Sequence, residues 1–188
     1  DNEEVALLLA RTLDRIGDYE SSIIVWNHLV EGGFTQKEGI VRLARLLYSN
    51  RRWRRCSTLC DTMIENGWDE ELALKIKARI AKMEGEDEAS LALWQKISSS
   101  NPEDKEADVS LERLLFSTKR FDELLLKINR RLDSNPENLN DLRFKVKVLG
   151  RLKEDAEVRI VLREIASIAP EDIDNLYTIA RFAYNVDE

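Results

Sequence analysis

The sequence predicts an all-α fold built from repeated helix-turn-helix units. Three observations lead to this prediction: turn-like residues recur every 34 positions, apolar residues recur at helical spacing between them, and no stretch shows the period-two alternation of a half-buried strand. Only 7 of the 188 residues are Gly and 3 are Pro, so few positions interrupt a helix. With 43% hydrophobic and 35% charged residues, the composition is that of a soluble folded chain and not of a disordered one.

The 34-residue period is clearest in the turn predicted at Gly17–Tyr19. Steps of 34 from Tyr19 reach four positions that each follow a polar, turn-like pair: Trp53, Asp87, Phe121 and Asp155. The three prolines also lie 34 residues apart, at Pro102, Pro136 and Pro170. Because proline cannot continue the helical hydrogen-bond ladder, each of them predicts the end of a helix.

Each unit is predicted to hold two amphipathic helices. In the first unit, an apolar stripe with i, i+3, i+4, i+7 spacing is formed by Ala6, Leu9, Ala10 and Leu13. A second stripe follows the turn, with Ile23, Trp26 and Val30. In the fourth unit the corresponding stripes contain Leu111, Leu114 and Leu115, then Leu124, Leu125, Ile128 and Leu132.

This pattern resembles the tetratricopeptide repeat, in its length, in the stretch LDRIGDYESSIIVW, in the aromatic after the turn and in the terminal prolines. The resemblance implies a right-handed α-solenoid of about five and a half units in a single repeat domain, residues 1–188. The expected units are 3–36, 37–70, 71–104, 105–138 and 139–172, followed by a first helix at 173–188. Asp87 and Asp155 replace the aromatic, and Trp68 stands where a closing proline is expected. Since the chain starts without Met, we expect a fragment of a larger protein.

Motifs of catalysis and metal binding are missing from the sequence. It has no Gly-rich phosphate loop, no GxSxG, no HExxH and no metal-spaced set of Cys and His. Cys56 and Cys60 lie four residues apart on one helical face and are predicted to be reduced and buried. We therefore expect no catalytic residue, no metal and no cofactor. No apolar run approaches the ~18 residues of a membrane span.

Cations recur with the same 34-residue step on the predicted first helices. This basic column consists of Arg11, Arg45, Arg79, Arg113, Lys147 and Arg181. At about 100° per residue, Arg11 projects away from the stripe that packs on the second helix. The resemblance implies that this side of the first helices lines a concave groove.

Further ligand-binding residues are predicted on the same or adjoining faces of the first helices. They are the cations Arg42, Lys75 and Arg143 and the aromatics Tyr48, Phe116 and Tyr177. Arg15, Lys82 and Arg151 lie nearby. Arg54 and Arg55, by contrast, begin a second helix on the outer side.

The basic column has two interpretations that the sequence leaves open. Each cation could pair with an acid of a neighbouring helix, with Glu38, Glu106 and Asp174 as candidates. Alternatively, the column binds an anionic ligand. Unpaired cations about 10 Å apart repel each other by only about 0.4 kcal/mol in water, so the fold tolerates either arrangement.

We expect a non-catalytic protein-interaction scaffold whose concave basic groove binds an extended acidic segment of a protein partner. Peptide and protein recognition is what the resemblance chiefly implies, and Arg supplies bidentate contacts to carboxylates. The alternative is an accessory domain of a larger enzyme or export machine that binds an anionic polysaccharide, since similar repeats occur beside bacterial glycosyltransferase modules. Nucleic-acid binding is permitted by the mixed cations and aromatics but disfavoured by the net charge of −7.

Overall fold

A computed structural model describes residues 2–33 and 37–171 of the chain. These residues form ten helices and no strand, which confirms the all-α prediction. The chain divides into two compact units, Asp1–Leu111 and Glu112–Glu188, and the division falls inside the seventh helix. The predicted limits of the individual repeats stay predictions, and the predicted helix from residue 173 lies outside the described residues.

First and second helices alternate along the described residues. The first helices are α1 (Asn2–Ile16), α3 (Lys37–Ser49), α5 (Glu70–Glu84), α7 (Lys105–Ser117) and α9 (Leu139–Leu152). The second helices are α2 (Tyr19–Glu31), α4 (Trp53–Glu65), α6 (Asp87–Ser100), α8 (Phe121–Ser134) and α10 (Asp155–Ile168). Each second helix begins at the position reached by the 34-residue step, so the predicted phase of the repeat is confirmed.

The turn between the two helices of a repeat has one backbone conformation throughout. A left-handed φ of 56° to 81° recurs at 34-residue steps, at Gly17, Arg51, Gly85, Lys119 and Lys153. The N–H of the next residue donates to the carbonyl five residues earlier, as from Asp18 to Leu13 at 3.0 Å. This Schellman motif satisfies carbonyls at the end of the first helix and turns the chain into the second. Glycine adopts the left-handed conformation readily, whereas an L side chain there costs about 1–2 kcal/mol.

The core of the first unit depends on small residues where its helices approach closely. Ala10, Ala44 and Ala78 recur at the 34-residue step on the first helices and are fully buried. On the facing second helices, Ser22, Cys56 and Ser90 recur with the same step and are also fully buried. Large side chains of the first unit are also fully buried. Trp26 and Trp94 are 1% and 2% exposed, which confirms the prediction that they are packing residues.

Both cysteines are free and buried, as predicted. Cys56 occupies the small-residue position, and its Sγ lies 3.3 Å from the carbonyl oxygen of Ala44. A hydrogen bond with Cys60 and burial both raise the pKa of the Cys56 thiol. The thiol is therefore held in its neutral, unreactive form.

The second unit departs from the repeat at three core positions. Glu112, Arg131 and Asp141 form what we call the charged triad. In the preceding repeat, the same positions are occupied by Ala78, Ile97 and Ala107, which are 0–1% exposed. The guanidinium of Arg131 donates from Nε and Nη2 to Oδ1 of Asp141 at 2.9 and 2.5 Å, and from Nη1 to Glu112. An ion-pair network thus replaces apolar packing among α7, α8 and α9.

Candidate functional site

The described members of the basic column lie on exposed or partly exposed sides of the first helices. In the first unit, Arg11 and Arg45 are exposed and Arg79 is partly exposed. In the second unit, Arg113 and Lys147 are exposed. Two further predicted site residues, Tyr177 and Arg181, lie outside the described residues.

Two column members pair with the acids that the pairing interpretation named. Nη2 of Arg11 donates to both carboxylate oxygens of Glu38, at 3.1 and 3.0 Å. Arg79 donates to Oε1 of Glu106 from Nε at 2.7 Å and from Nη2 at 2.5 Å. The charge of these two arginines is therefore largely compensated within the first unit. The third candidate acid, Asp174, lies outside the described residues.

Arg42 takes part in a hydrogen-bonded cluster around Asp14. The Asp14 carboxylate accepts from Nε of Arg42 at 2.6 Å, from Oγ of Ser22 at 2.5 Å and from Nε1 of Trp26 at 3.3 Å. Burial alone would raise the pKa of Asp14, but these three hydrogen bonds outweigh it and hold the pKa below its usual value. Asp14 therefore stays ionised and fixes the position of the Arg42 guanidinium.

The positive charge of Lys75 is also compensated by neighbouring carboxylates. Its Nζ lies 2.6 Å from Oε1 of Glu71 and pairs with Asp104, whose side chain is only 7% exposed. Asp104 in turn accepts from the backbone N–H of Ala107 at 2.8 Å, at the start of α7. Burial alone would lower the pKa of Lys75, but the two carboxylates outweigh it and raise the pKa. Lys75 thus anchors α5 to the beginning of α7.

Arg45 differs from these paired cations. Within the residues that the structure describes, it has no carboxylate partner. Arg11 and Arg79 each meet an acid 27 positions later in the chain, but the residue 27 positions after Arg45 is Leu72. The same holds for Arg113 in the second unit, where the residue at that separation is Asn140. Among the described residues, no carboxylate therefore compensates the charge of either arginine.

An open cleft of about 430 Å³ lies between α1 and α3 in the first unit. This arginine cleft is lined by Arg11, Asp14, Arg15, Trp26, Glu38, Val41, Arg42 and Arg45. Four guanidinium groups face two carboxylates there, so positive charge is in excess in a protein whose net charge is −7. Trp26 and Val41 supply an apolar part of the lining. The cleft brings together three predicted site residues: Arg11, Arg42 and Arg45.

A second cluster lies in the second unit, on α7 and α9, and contains the predicted site residues Arg113, Phe116 and Lys147. The rings of Phe116 and Phe144 are stacked, with centroids 6.3 Å apart and an interplanar angle of 29°. Nζ of Lys147 lies 4.8 Å from the centroid of Phe116, and Cζ of Arg151 lies 5.9 Å from it. With the exposed Arg113, these residues form what we call the aromatic–cation face. Two other predicted residues, Tyr48 and Arg143, are half-buried, and Tyr48 packs against the core of the first unit.

The acidic partners Asp14 and Asp104 were missed by the sequence analysis. A signal for them exists in the separations: Arg42 meets Asp14 across 28 positions and Lys75 meets Asp104 across 29. Each separation is shorter than the 34-residue repeat by about a turn and a half of helix. A cation and an acid at such a separation therefore lie on adjacent first helices. A search for acids 27–29 positions from each cation would have found both.

Metal-binding clusters and membrane-spanning helices are both absent from the part of the chain that the structure describes. Among those residues, no group of three or more His, Cys, Asp or Glu is arranged to hold a metal ion. Their helices are also too short and too polar for any of them to cross a membrane.

Comparison with known proteins identifies the fold. No protein-family model matches the sequence, and no curated protein matches it. Among solved structures, a tetratricopeptide repeat protein from Parabacteroides merdae is similar at 13% identity and a TM-score of 0.66, over 97% of this chain and 72% of that one. YrrB, described as a tetratricopeptide repeat protein with an unusual peptide-binding site, is similar at 11% identity and a TM-score of 0.62, over 93% and 90% of the two chains. MamA from Desulfovibrio magneticus is similar at 12% identity and a TM-score of 0.63, over 92% of this chain and 98% of that one.

At these identities the likeness shows the fold alone. The chain has a tetratricopeptide-like fold, an all-α repeat solenoid of helix-turn-helix units.

Proposed function

We propose that this chain is a protein-interaction scaffold that binds an extended acidic segment of a partner through the cation-bearing side of its first helices. The observation that carries the proposal is the arginine cleft, where positive charge is concentrated in an otherwise acidic chain. The tetratricopeptide-like fold supports it, since the similar protein YrrB is described as having a peptide-binding site.

The chemistry of the cleft favours carboxylate ligands. A guanidinium presents two parallel N–H donors, which match the two oxygens of a carboxylate. Glu38 and Asp14 hold Arg11 and Arg42 in fixed orientations, whereas none of the described carboxylates occupies the donors of Arg45. A ligand carboxylate that reaches Arg45 therefore meets one available guanidinium beside two positioned ones.

The proposal is tested with a fluorescein-labelled peptide of alternating Glu and Asp, an oligomer of an anionic polysaccharide and a single-stranded oligonucleotide. Binding is measured by fluorescence anisotropy with the wild type, Arg45→Gln and Arg54→Gln. Arg54 is an exposed arginine of the same repeat on the second helix α4, so it is a matched control. Because Arg45 and Arg54 are both exposed, neither change should lower stability by more than about 1 kcal/mol.

We expect the acidic peptide to bind, and Arg45→Gln to weaken it about tenfold, as expected for loss of one charge-assisted hydrogen bond. Arg54→Gln should leave the affinity nearly unchanged. Binding should weaken as salt is raised from about 50 to about 200 mM. If Arg45→Gln and Arg54→Gln lose the same affinity for the acidic peptide, the proposal is contradicted, because the peptide is then attracted by the overall electrostatic field of the protein and not by the cleft. Selective binding of the polysaccharide or the oligonucleotide contradicts it too, and identifies the ligand as one of the alternatives.

A further inference from the structure

We infer that the aromatic–cation face of the second unit selects an acidic segment that carries an aromatic side chain. The inference rests on the proposed function and deepens it by stating the chemistry of the partner. The face consists of Arg113 and Phe116 on α7 and of Phe144, Lys147 and Arg151 on α9.

The three cations of this face are unlike the paired cations of the first unit. Among the described residues, Arg113, Lys147 and Arg151 have no carboxylate partner. Lys147 and Arg151 instead lie against the ring of Phe116, at 4.8 and 5.9 Å from its centroid. A ring quadrupole attracts a cation without cancelling its charge. The face therefore keeps positive charge that complements the carboxylates of an acidic segment.

The aromatic pair is held in position from inside the unit. Phe121, the first residue of α8, contacts Phe116 edge-on, with centroids 5.5 Å apart and an interplanar angle of 70°. The ring of Phe116 is also stacked with the ring of Phe144, with centroids 6.3 Å apart. Both Phe116 and Phe144 are only half-buried, so part of each ring is open to solvent. Because the rings are already oriented, a ligand would lose little binding energy in ordering them.

An aromatic ligand side chain matches this face better than an aliphatic one. Either would bury apolar area against the Phe rings. Only an aromatic ring adds the preference for stacked or edge-on contact with a second ring, and only an aromatic ring attracts the neighbouring Lys147 and Arg151 through its face. Carboxylates on either side of the aromatic residue then come within reach of Arg113 and the same two cations.

The inference is tested with three labelled peptides of alternating Glu and Asp that carry a central Phe, Leu or Ser. The protein is the full chain as wild type, as Lys147→Gln with Arg151→Gln, and as Phe144→Leu. The matched control is Arg159→Gln with Arg163→Gln, two exposed arginines of α10 in the same unit. Thermal unfolding of each variant shows whether it is folded.

We expect the Phe peptide to bind about tenfold more tightly than the Ser peptide and about threefold more tightly than the Leu peptide. The Lys147/Arg151 variant should lose affinity for the Phe peptide about tenfold, and Phe144→Leu should remove the preference for Phe over Leu. The Arg159/Arg163 control should behave as the wild type. Equal binding of the three peptides, with Arg45→Gln still weakening it, overturns this inference and leaves the proposed function standing. If no acidic peptide binds, the proposed function fails as well; if the α10 control weakens binding equally, the selectivity does not come from this face.

Discussion

Replacing the charged triad by the residues of the preceding repeat tests how this fold tolerates charge in its core. The single change Arg131→Ile leaves Glu112 and Asp141 without their shared partner. Their side chains are only 19% and 11% exposed, so water compensates little of the lost interaction. Breaking a buried ion pair in this way typically costs about 3–5 kcal/mol. Because the Arg131 side chain is 31% exposed, we expect the lower end, about 3 kcal/mol.

The triple change Glu112→Ala, Arg131→Ile and Asp141→Ala should behave in the opposite way. It installs the residues found at Ala78, Ile97 and Ala107, which pack fully buried in the preceding repeat. Apolar replacement of a buried ion network is commonly neutral or stabilising by about 1–4 kcal/mol, since the desolvation of the charges is no longer required. The triple variant should therefore be at least as stable as the wild type.

Thermal unfolding followed by circular dichroism measures both effects. For a chain of this size, a loss of about 3 kcal/mol lowers Tm by about 6–12 °C. Hydrogen exchange of α8 and α9 shows that the change lies in the second unit, which matters if the two units unfold in separate transitions. A triple variant as unstable as Arg131→Ile would refute the reasoning, because the triad would then supply geometry that apolar side chains cannot.

Three further outcomes are expected. Gly85→Ala should lower stability by about 1–2 kcal/mol and Lys119→Gly should raise it by a similar amount, because both residues occupy the left-handed turn position. Urea unfolding measures both changes. A Cβ at Gly85 would meet no atom within 4 Å, so only the backbone conformation opposes Gly85→Ala, and an unchanged stability would contradict that conformation. The pKa of Asp14 is lowered on folding, so its stabilising contribution is present above the unfolded value of about 3.9 and is lost as pH falls through the folded value. The stability difference between wild type and Asp14→Asn should therefore shrink from about pH 7 to about pH 3, and a constant difference counts against the hydrogen-bonded cluster. Finally, a thiol reagent should label Cys56 and Cys60 only as fast as the protein opens, because both are buried; rapid labelling in native buffer contradicts their placement.

The local elements of this fold could be predicted because their signals are close in sequence. The helix that begins at Phe121 and the turn before it depend on residues within about one turn on either side, through backbone hydrogen bonds and left-handed φ values. Repetition strengthens such a signal, since the same turn occurs five times, at Gly17, Arg51, Gly85, Lys119 and Lys153. Burial of Trp26 and Trp94 follows in the same way from their places on amphipathic helices.

The charge of the candidate site was decided only by tertiary contacts. By sequence, Arg11 and Arg45 are equivalent members of the basic column, yet Arg11 is paired with Glu38 and Arg45 has no carboxylate partner within the part of the chain that the structure describes. An ion pair requires two atoms within about 4 Å, and the side chains that meet across neighbouring helices are set by packing and not by the period of the repeat. For the same reason Glu112 and Arg131 gave no sign of being partners. They lie 19 positions apart, and only the packing of α7 and α8 brings their charges together.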